Sequence, residues 1–440
     1  MKKKISAVLL ASLILATGCS SKAPDTTASP TTATGGDKTE TKAETKEVTV
    51  WAWDKNFNIA AMKLAQEAYA KDHPDVKINI VEYAQDDIIQ KLNTGLNSGT
   101  TTGLPNVVLI EDYRAQSFLK AYPDSFQDLS SSIKASDFAD YKIGPTSLNG
   151  KQYGVPFDSG VAGLYVRTDY LEQAGYKVDD MKNIDWQKFI EIGKAVKAKT
   201  GKDMLTQDPN DLGLIRMMIQ SAGSWYLKSD GATPDLKDNA ALKDAFQTYK
   251  ELMNANIVKI TSDWNAFVAG FNSGDVATVP TGNWITPSVK AKADQAGKWA
   301  VVPFPKLKNT SSSVNASNLG GSSWYVLNNP GKEAAADFLA KTLGSDVNLY
   351  QKLVTDIGVI GTLKAAASGD AYSKADDYFG GQKVISDFAN WTTQIPKVNY
   401  GMHTYAIEDI LKVEMQNYLK GTELDKVLND AQSQAEAQVK

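Results

Sequence analysis

The sequence predicts an α/β protein of two domains, set behind a leader and a polar tether. Three observations carry that expectation. Strand-like and helix-like patterns alternate from Glu47 onward. The chain from Glu47 to Lys440 is too long for a single hydrophobic core to be the simplest solution. The residues before Glu47 have the composition of neither domain.

The leader comes first. Lys2, Lys3 and Lys4 precede an apolar run from Ile5 to Leu15, too short to span a bilayer. Ala16-Thr17-Gly18-Cys19 then resembles a lipobox, with Ala16 where a branched residue is usual. Residues 1–18 are therefore expected to be a lipoprotein signal peptide, and Cys19 the lipidated N-terminus. Cys19 is the only cysteine, so no internal disulfide can form. From Ser20 to Lys46 there is no aromatic residue and no Val, Ile or Leu. Such a segment cannot bury enough apolar surface to offset its ordering entropy, so 19–46 reads as a disordered tether.

Glu47 to Trp53 is apolar on both faces, as a buried parallel strand is. A helix follows, with Asn58 as its cap and Met62, Ala65 and Tyr69 on one stripe. His73-Pro74-Asp75 stops it. Val76 to Glu82 alternates as a second strand. Asp86 caps a helix that carries Ile89, Leu92 and Leu96, and Asn106 to Ile110 is a third strand. Right-handed crossovers make these three strands parallel and put their carboxyl ends on one rim. Trp53, Asp54, Tyr83, Gln85, Glu111, Asp112 and Tyr113 stand at or just past those ends. Aromatic faces beside carboxylates and amides suit a ligand with C–H faces and hydroxyl donors.

Further on, Asp185 caps a helix carrying Phe189, Ile192 and Val196, and Gly201 ends it. Leu212 to Ala222 and Asn239 to Leu252 are helical in pattern. Trp299 to Pro303 reads as a strand crossing back between domains. Ile395-Pro396 leads to a long helical stretch whose start holds Tyr400 and His403. The tryptophans are too many for one core. Trp51, Trp186 and Trp299 are assigned to packing; Trp225 and Trp264, which follow turn-like or polar residues, are candidates for a cleft edge.

Composition excludes several classes of function. A net charge of −4 without a basic cluster leaves no footprint for nucleic acid. Two histidines and one cysteine leave no plausible zinc or redox site, and no cofactor is expected.

Motifs in the second half sharpen the reading. Tyr153-Gly-Val-Pro-Phe-Asp158 precedes Gly163-Leu-Tyr-Val-Arg167. A small-residue segment from Phe267 ends in Gly282-Asn283-Trp284. Leu319-Gly-Gly-Ser-Ser-Trp324 and Lys332-Glu-Ala-Ala-Ala-Asp-Phe-Leu339 follow in order. In this order the motifs resemble the bacterial extracellular solute-binding proteins of the carbohydrate type, the maltodextrin-binding-protein-like group. The resemblance implies a two-lobe periplasmic-binding-protein-like fold, each lobe a mixed or parallel sheet flanked by helices, hinged by crossing strands. It implies lobes of 47–157 plus 304–328 and of 158–303 plus 329–440. It points to Asp158 and Trp284 as ligand-facing residues. It makes Gly321 a point of close backbone approach, and it brings Trp324, Tyr400 and His403 to the cleft.

The expected function is that of a lipid-anchored binding protein on the outer side of the cell membrane. It would act as a monomer, capturing a mono- or oligosaccharide and passing it to the permease subunits of an ABC importer. Two alternatives stand beside it. One is a binding protein for another solute such as a polyamine. The other is a glycosidase using Asp112 and Asp158 as acid and base.

Overall fold

The computed structural model describes residues 46–439. The expected signal peptide, the lipidation of Cys19 and nearly all of the tether lie outside the described residues. Among the described residues no helix is long and apolar enough to cross a membrane.

The first lobe is built as the alternation predicts. Strand β1 (Glu47–Ala52) leads through helix α1 (Asn58–Ala70) to β2 (Lys77–Glu82). Helix α2 (Gln85–Asn97) leads to β3 (Val107–Glu111), and α3 (Asp112–Ala121) follows at once. Both β2 and β3 pair with β1 in parallel, as the crossover rule requires. Two later strands extend this sheet beyond β3: Ser322–Val326 pairs antiparallel with β3, and Gly154–Pro156 pairs antiparallel with Ser322–Val326.

The second lobe has two small sheets. Ala162–Arg167 lies between Thr278–Gly282 and Trp299–Pro303, antiparallel to both. Leu205–Gln207 and Val258–Ile260 form a parallel pair. Helix Trp186–Thr200 begins where Asp185 accepts a hydrogen bond from Lys188 N and ends at Gly201, whose φ is +73°. Helix Ala240–Asn254 is capped in the same way by Asn239.

Three expectations are corrected here. Trp299–Pro303 does not cross between lobes, because its hydrogen bonds hold it inside the second lobe's antiparallel sheet. The return to the first lobe comes later than residue 304. Phe304 and Leu307 are buried in the second lobe's core, and Asn309 is tied to Asp244 by its backbone and side chain. The chain then stays in the first lobe past residue 328. Helices Lys332–Lys341 and Val347–Ile357 put Phe338, Leu339, Tyr350 and Leu353 into one core with Val48 and Val50. A helix that follows a strand after a short turn packs on that strand's own sheet, and here that sheet is the first lobe's. Tyr378, Phe379 and Phe388 then pack against Tyr165 and Val301 in the second lobe.

The crossing segments lie side by side. Val161 bridges to Asn318, and Leu319 N donates to Gly160 O at 2.8 Å. Gly160 has φ +57°, and a Cβ there would stand 2.6 Å from Gly321 N. Glycine is needed at this position both for the dihedral and for the contact. Residues 360–362 run along the same seam, where Ser159 N donates to Ile360 O and Thr362 N to Phe157 O.

Candidate functional site

A cavity of about 580 Å³ lies between the lobes. The first lobe lines it with Trp53, Asp54, Asn56, Phe57, Asn58, Gln85 and Glu111. The crossing segments contribute Asp158 and Leu319 to Ser322; the second lobe contributes Asp211, Arg216, Trp264, Trp284, Pro287 and Ser288. Parallel topology explains the first set, because β1 and β3 end at this rim and α2 starts there.

Trp53 is half-buried and Asp54 exposed. Asp54 has φ +61°, and its Oδ1 accepts from Asn56 N and Phe57 N, which shapes the turn into α1. Trp284 stands just past strand 278–282. Its indole N–H donates to Leu319 O at 2.9 Å, which fixes the ring against the crossing segment. A Cβ on Gly282 would meet that indole nitrogen at 2.2 Å, so glycine makes room for the ring. Gly320 and Gly321 both have positive φ and expose backbone to the cavity. Asp158 is 3% exposed, and its Oδ1 accepts from Ser322 N and Oγ, both at 2.7 Å.

Glu111 is bound across the lobes, because the hydroxyl of Tyr405 donates to its Oε2. Burial pushes the Glu111 carboxyl above its ordinary range, while Arg216 and Arg114 pull it down. The Arg114 guanidinium lies 3.9 Å from the Tyr405 ring centre. Arg216 donates to Glu408 at 2.8 Å and lies 3.7 Å from Asp211, and its Nε has no partner among the described residues.

Seven of the twelve candidate ligand-facing residues therefore meet at this cavity: Trp53, Asp54, Glu111, Asp158, Trp264, Trp284 and Gly321. The others are corrected. Asp112 is 1% exposed and holds the ammonium of the wholly buried Lys142; Ser323 Oγ also donates to it, at 2.9 Å. Lys142 donates further to Asp158 O and Ser322 O, both at 3.0 Å, so this cluster is a knot at the seam. With Asp112 spent there, an acid–base pair with Asp158 has no geometric support. Trp324 is fully buried beside Phe157 in the first lobe's core, on the face opposite to its strand neighbour Ser323. Trp225 and Tyr400 are buried with Tyr113, at ring separations of 4.7 to 5.3 Å, and face a different cavity. Trp225 is not at the edge of the interlobe cleft as expected; it is buried, with its N–H taken by Thr404 Oγ1. His403 lines neither cavity. It sits half-buried at the start of helix Thr404–Leu419, where burial and Lys120 lower its pKa.

Arg216, Tyr405 and Lys142 were not anticipated. Arg216 left a trace in the sequence, since a lone arginine interrupts the apolar helix Gly213–Ser221. Tyr405 and Lys142 left none.

The model of a family described as bacterial extracellular solute-binding protein matches residues 65–380. A lactose-binding protein of Rhizobium radiobacter is 51% identical over 91% of this chain and 94% of its own length. An arabinooligosaccharide-binding protein of Bacillus subtilis (strain 168) is 26% identical over 70% of this chain and 72% of its own. Among solved structures, the GacH receptor of Streptomyces glaucescens GLA.O superposes with a TM-score of 0.74 at 19% identity, over 89% of this chain and 98% of that one. An ABC-transporter-associated binding protein of B. animalis subsp. lactis Bl-04, solved with β-1,6-galactobiose, gives 0.72 at 22% identity, over 90% and 98%. At those identities the likeness is one of fold.

Proposed function

Because the chain belongs to the bacterial extracellular solute-binding proteins, we propose that it captures a neutral mono- or oligosaccharide between its lobes and delivers it to an ABC importer. The observation that carries this reading is a single cavity that takes tryptophan faces and carboxylates from both lobes. Pyranose C–H faces stack on Trp53 and Trp284, and hydroxyls donate to Asp54, Glu111 and Asp158. Neither lobe alone can satisfy all sides of a sugar. The lactose-binding relative supports a galactoside as the first ligand to try. The role is binding without chemistry, and the sealed state of Asp112 agrees with it.

Titration calorimetry against lactose, galactose, arabinooligosaccharides and putrescine tests the reading. A sugar should bind with a Kd of order micromolar, about −8 kcal/mol. Binding of putrescine alone would overturn it. Attachment to the outer face of the membrane through a lipidated Cys19 belongs to the same proposal and rests on the leader sequence. A Cys19→Ala chain recovered in the soluble fraction supports that anchor, and one that stays with the membrane refutes it.

A further inference from the structure

The turn Asp140–Lys142 grips both crossing segments next to the interlobe cavity. Lys142 is wholly buried and is not among the residues that line that cavity. An ammonium has three N–H donors, and here each has a taker. One goes to the carboxylate of Asp112 at the start of α3, one to Asp158 O on the first crossing segment and one to Ser322 O on the second. The hydroxyl of Tyr141 donates to Ser159 O at 2.7 Å. Two successive side chains of one turn therefore hold two successive carbonyls of the first crossing segment.

What Lys142 holds borders the ligand space. Asp158 and Ser322 line the cavity, and Asp112 directly follows the lining residue Glu111. Both side-chain hydrogen bonds of Asp158 among the described residues fall on Oδ1, from Ser322 N and Oγ. Its other oxygen is left for a hydroxyl donor. Asp112 closes the same circuit, because its backbone N donates to Gly321 O at 3.0 Å. A Cβ on Gly321 would stand 3.0 Å from Asp112 Oδ2 and 3.4 Å from Lys142 Nζ, so this part of the cavity wall rests directly on the ion pair.

Charge gives Lys142 a second task. Burial pushes the Asp112 carboxyl above its ordinary range; Lys142 pulls against that, and the nearby Asp158 adds to it. One ammonium beside two carboxylates leaves one negative charge, and Asp158 is the member of the cluster that meets the cavity. Stability is a weak reason for such a cluster. Burying an ammonium is unfavourable, and apolar residues of similar volume often replace a buried ion pair without loss. What apolar packing would not supply is a fixed direction for the Asp158 carboxylate.

We propose that Lys142 is a positioning residue for ligand capture: it touches no ligand, and it sets the Asp158 carboxylate for the ligand's hydroxyls. The proposal rests on the sugar-binding reading above and names a buried residue on which that site depends.

Calorimetry on the full chain tests it, with lactose or with the sugar of the panel above that binds in its place. Lys142→Met alone would strand a buried carboxylate, so the ammonium is removed together with its partner's charge, in Lys142→Met/Asp112→Asn. This double variant, checked for a normal melting transition, should bind the sugar at least about tenfold more weakly, a difference of about 1.4 kcal/mol. In a chain that already carries Asp158→Asn, the same double change should weaken binding by less than about threefold, because the group that Lys142 sets is gone. Lys142→Gln with Asp112→Asn restores N–H donors without the charge and should recover part of the affinity. Unchanged affinity in the folded double variant would overturn the proposal while leaving the sugar reading intact. So would an equal loss with and without Asp158→Asn, since a general structural role would act in both backgrounds. If the Met variant does not fold, the Gln variant carries the same comparison. Failure of both to fold would make Lys142 a residue of stability and overturn the proposal as well. Failure of the unaltered protein to bind any sugar of the panel would instead remove the sugar reading itself, and the proposal with it.

Discussion

Trp284 and Trp324 look alike in the sequence, each following a run of small residues, and the structure gives them opposite duties. Trp284 sits past the end of its strand, with its indole N–H held by Leu319 O and its ring at the cavity wall. Trp324 sits in mid-strand opposite Leu109 and Val155 and is fully buried. Trp284→Ala should therefore weaken sugar binding by about 1–3 kcal/mol while the melting temperature changes little. Trp324→Ala should cost about 3–5 kcal/mol of stability through the cavity it leaves. Calorimetry and denaturant unfolding on the two variants separate the roles, and a Trp284→Ala chain that binds normally would move the site elsewhere. Asp112 and Lys142 teach the same lesson with charge. A carboxylate just past a strand end reads as a ligand group, but here a lysine thirty residues on takes it up. Strand position brings a side chain to a rim; only its partners decide whether it is free to meet a ligand.

At the scale of elements, most of the first lobe was legible. Alternation and helical stripes gave β1, α1, β2, α2 and β3, and the crossover rule gave their parallel order. Caps with a chemical signature held as well, at Asp185 and Gly201. The cap expected at Asn58 shifted by one residue to Phe57, where no side chain caps the helix. The cap expected at Asp86 moved to Ala84, and Asp86 became part of the first turn. Trp299–Pro303 was legible as a strand but not as the edge of an antiparallel sheet, because an apolar run of five carries no sign of its partner. Helices Lys332–Lys341 and Val347–Ile357 were expected on the wrong lobe for a related reason. Their apolar faces say that they pack, and only the strand they follow says where.

The whole molecule is two lobes joined along a seam, with the Tyr405–Glu111 bond spanning the cleft and the Trp284–Leu319 bond tying the second lobe to the crossing segment. A ligand that touches both lobes favours the closed arrangement only through its better contacts there. A saturating sugar should reduce the radius of gyration in solution scattering and change tryptophan fluorescence. In Tyr405→Phe, which loses the hydroxyl that bridges the lobes, the ligand-free form should open further and the change on binding should grow. If scattering and fluorescence stay flat in both proteins although sugar is bound, closure is not part of the mechanism. The sequence by itself determined the α/β class, the parallel core of the first lobe, the family and the tryptophan–carboxylate character of the site, because these follow from periodicity, strand ends and short motifs. Only the tertiary structure decided which carboxylates remain free, which tryptophans face the cavity, where the chain changes lobes and how Tyr405 closes over Glu111. Those depend on partners far apart in the chain, and side-chain pairing at long range leaves no local trace in the order of residues.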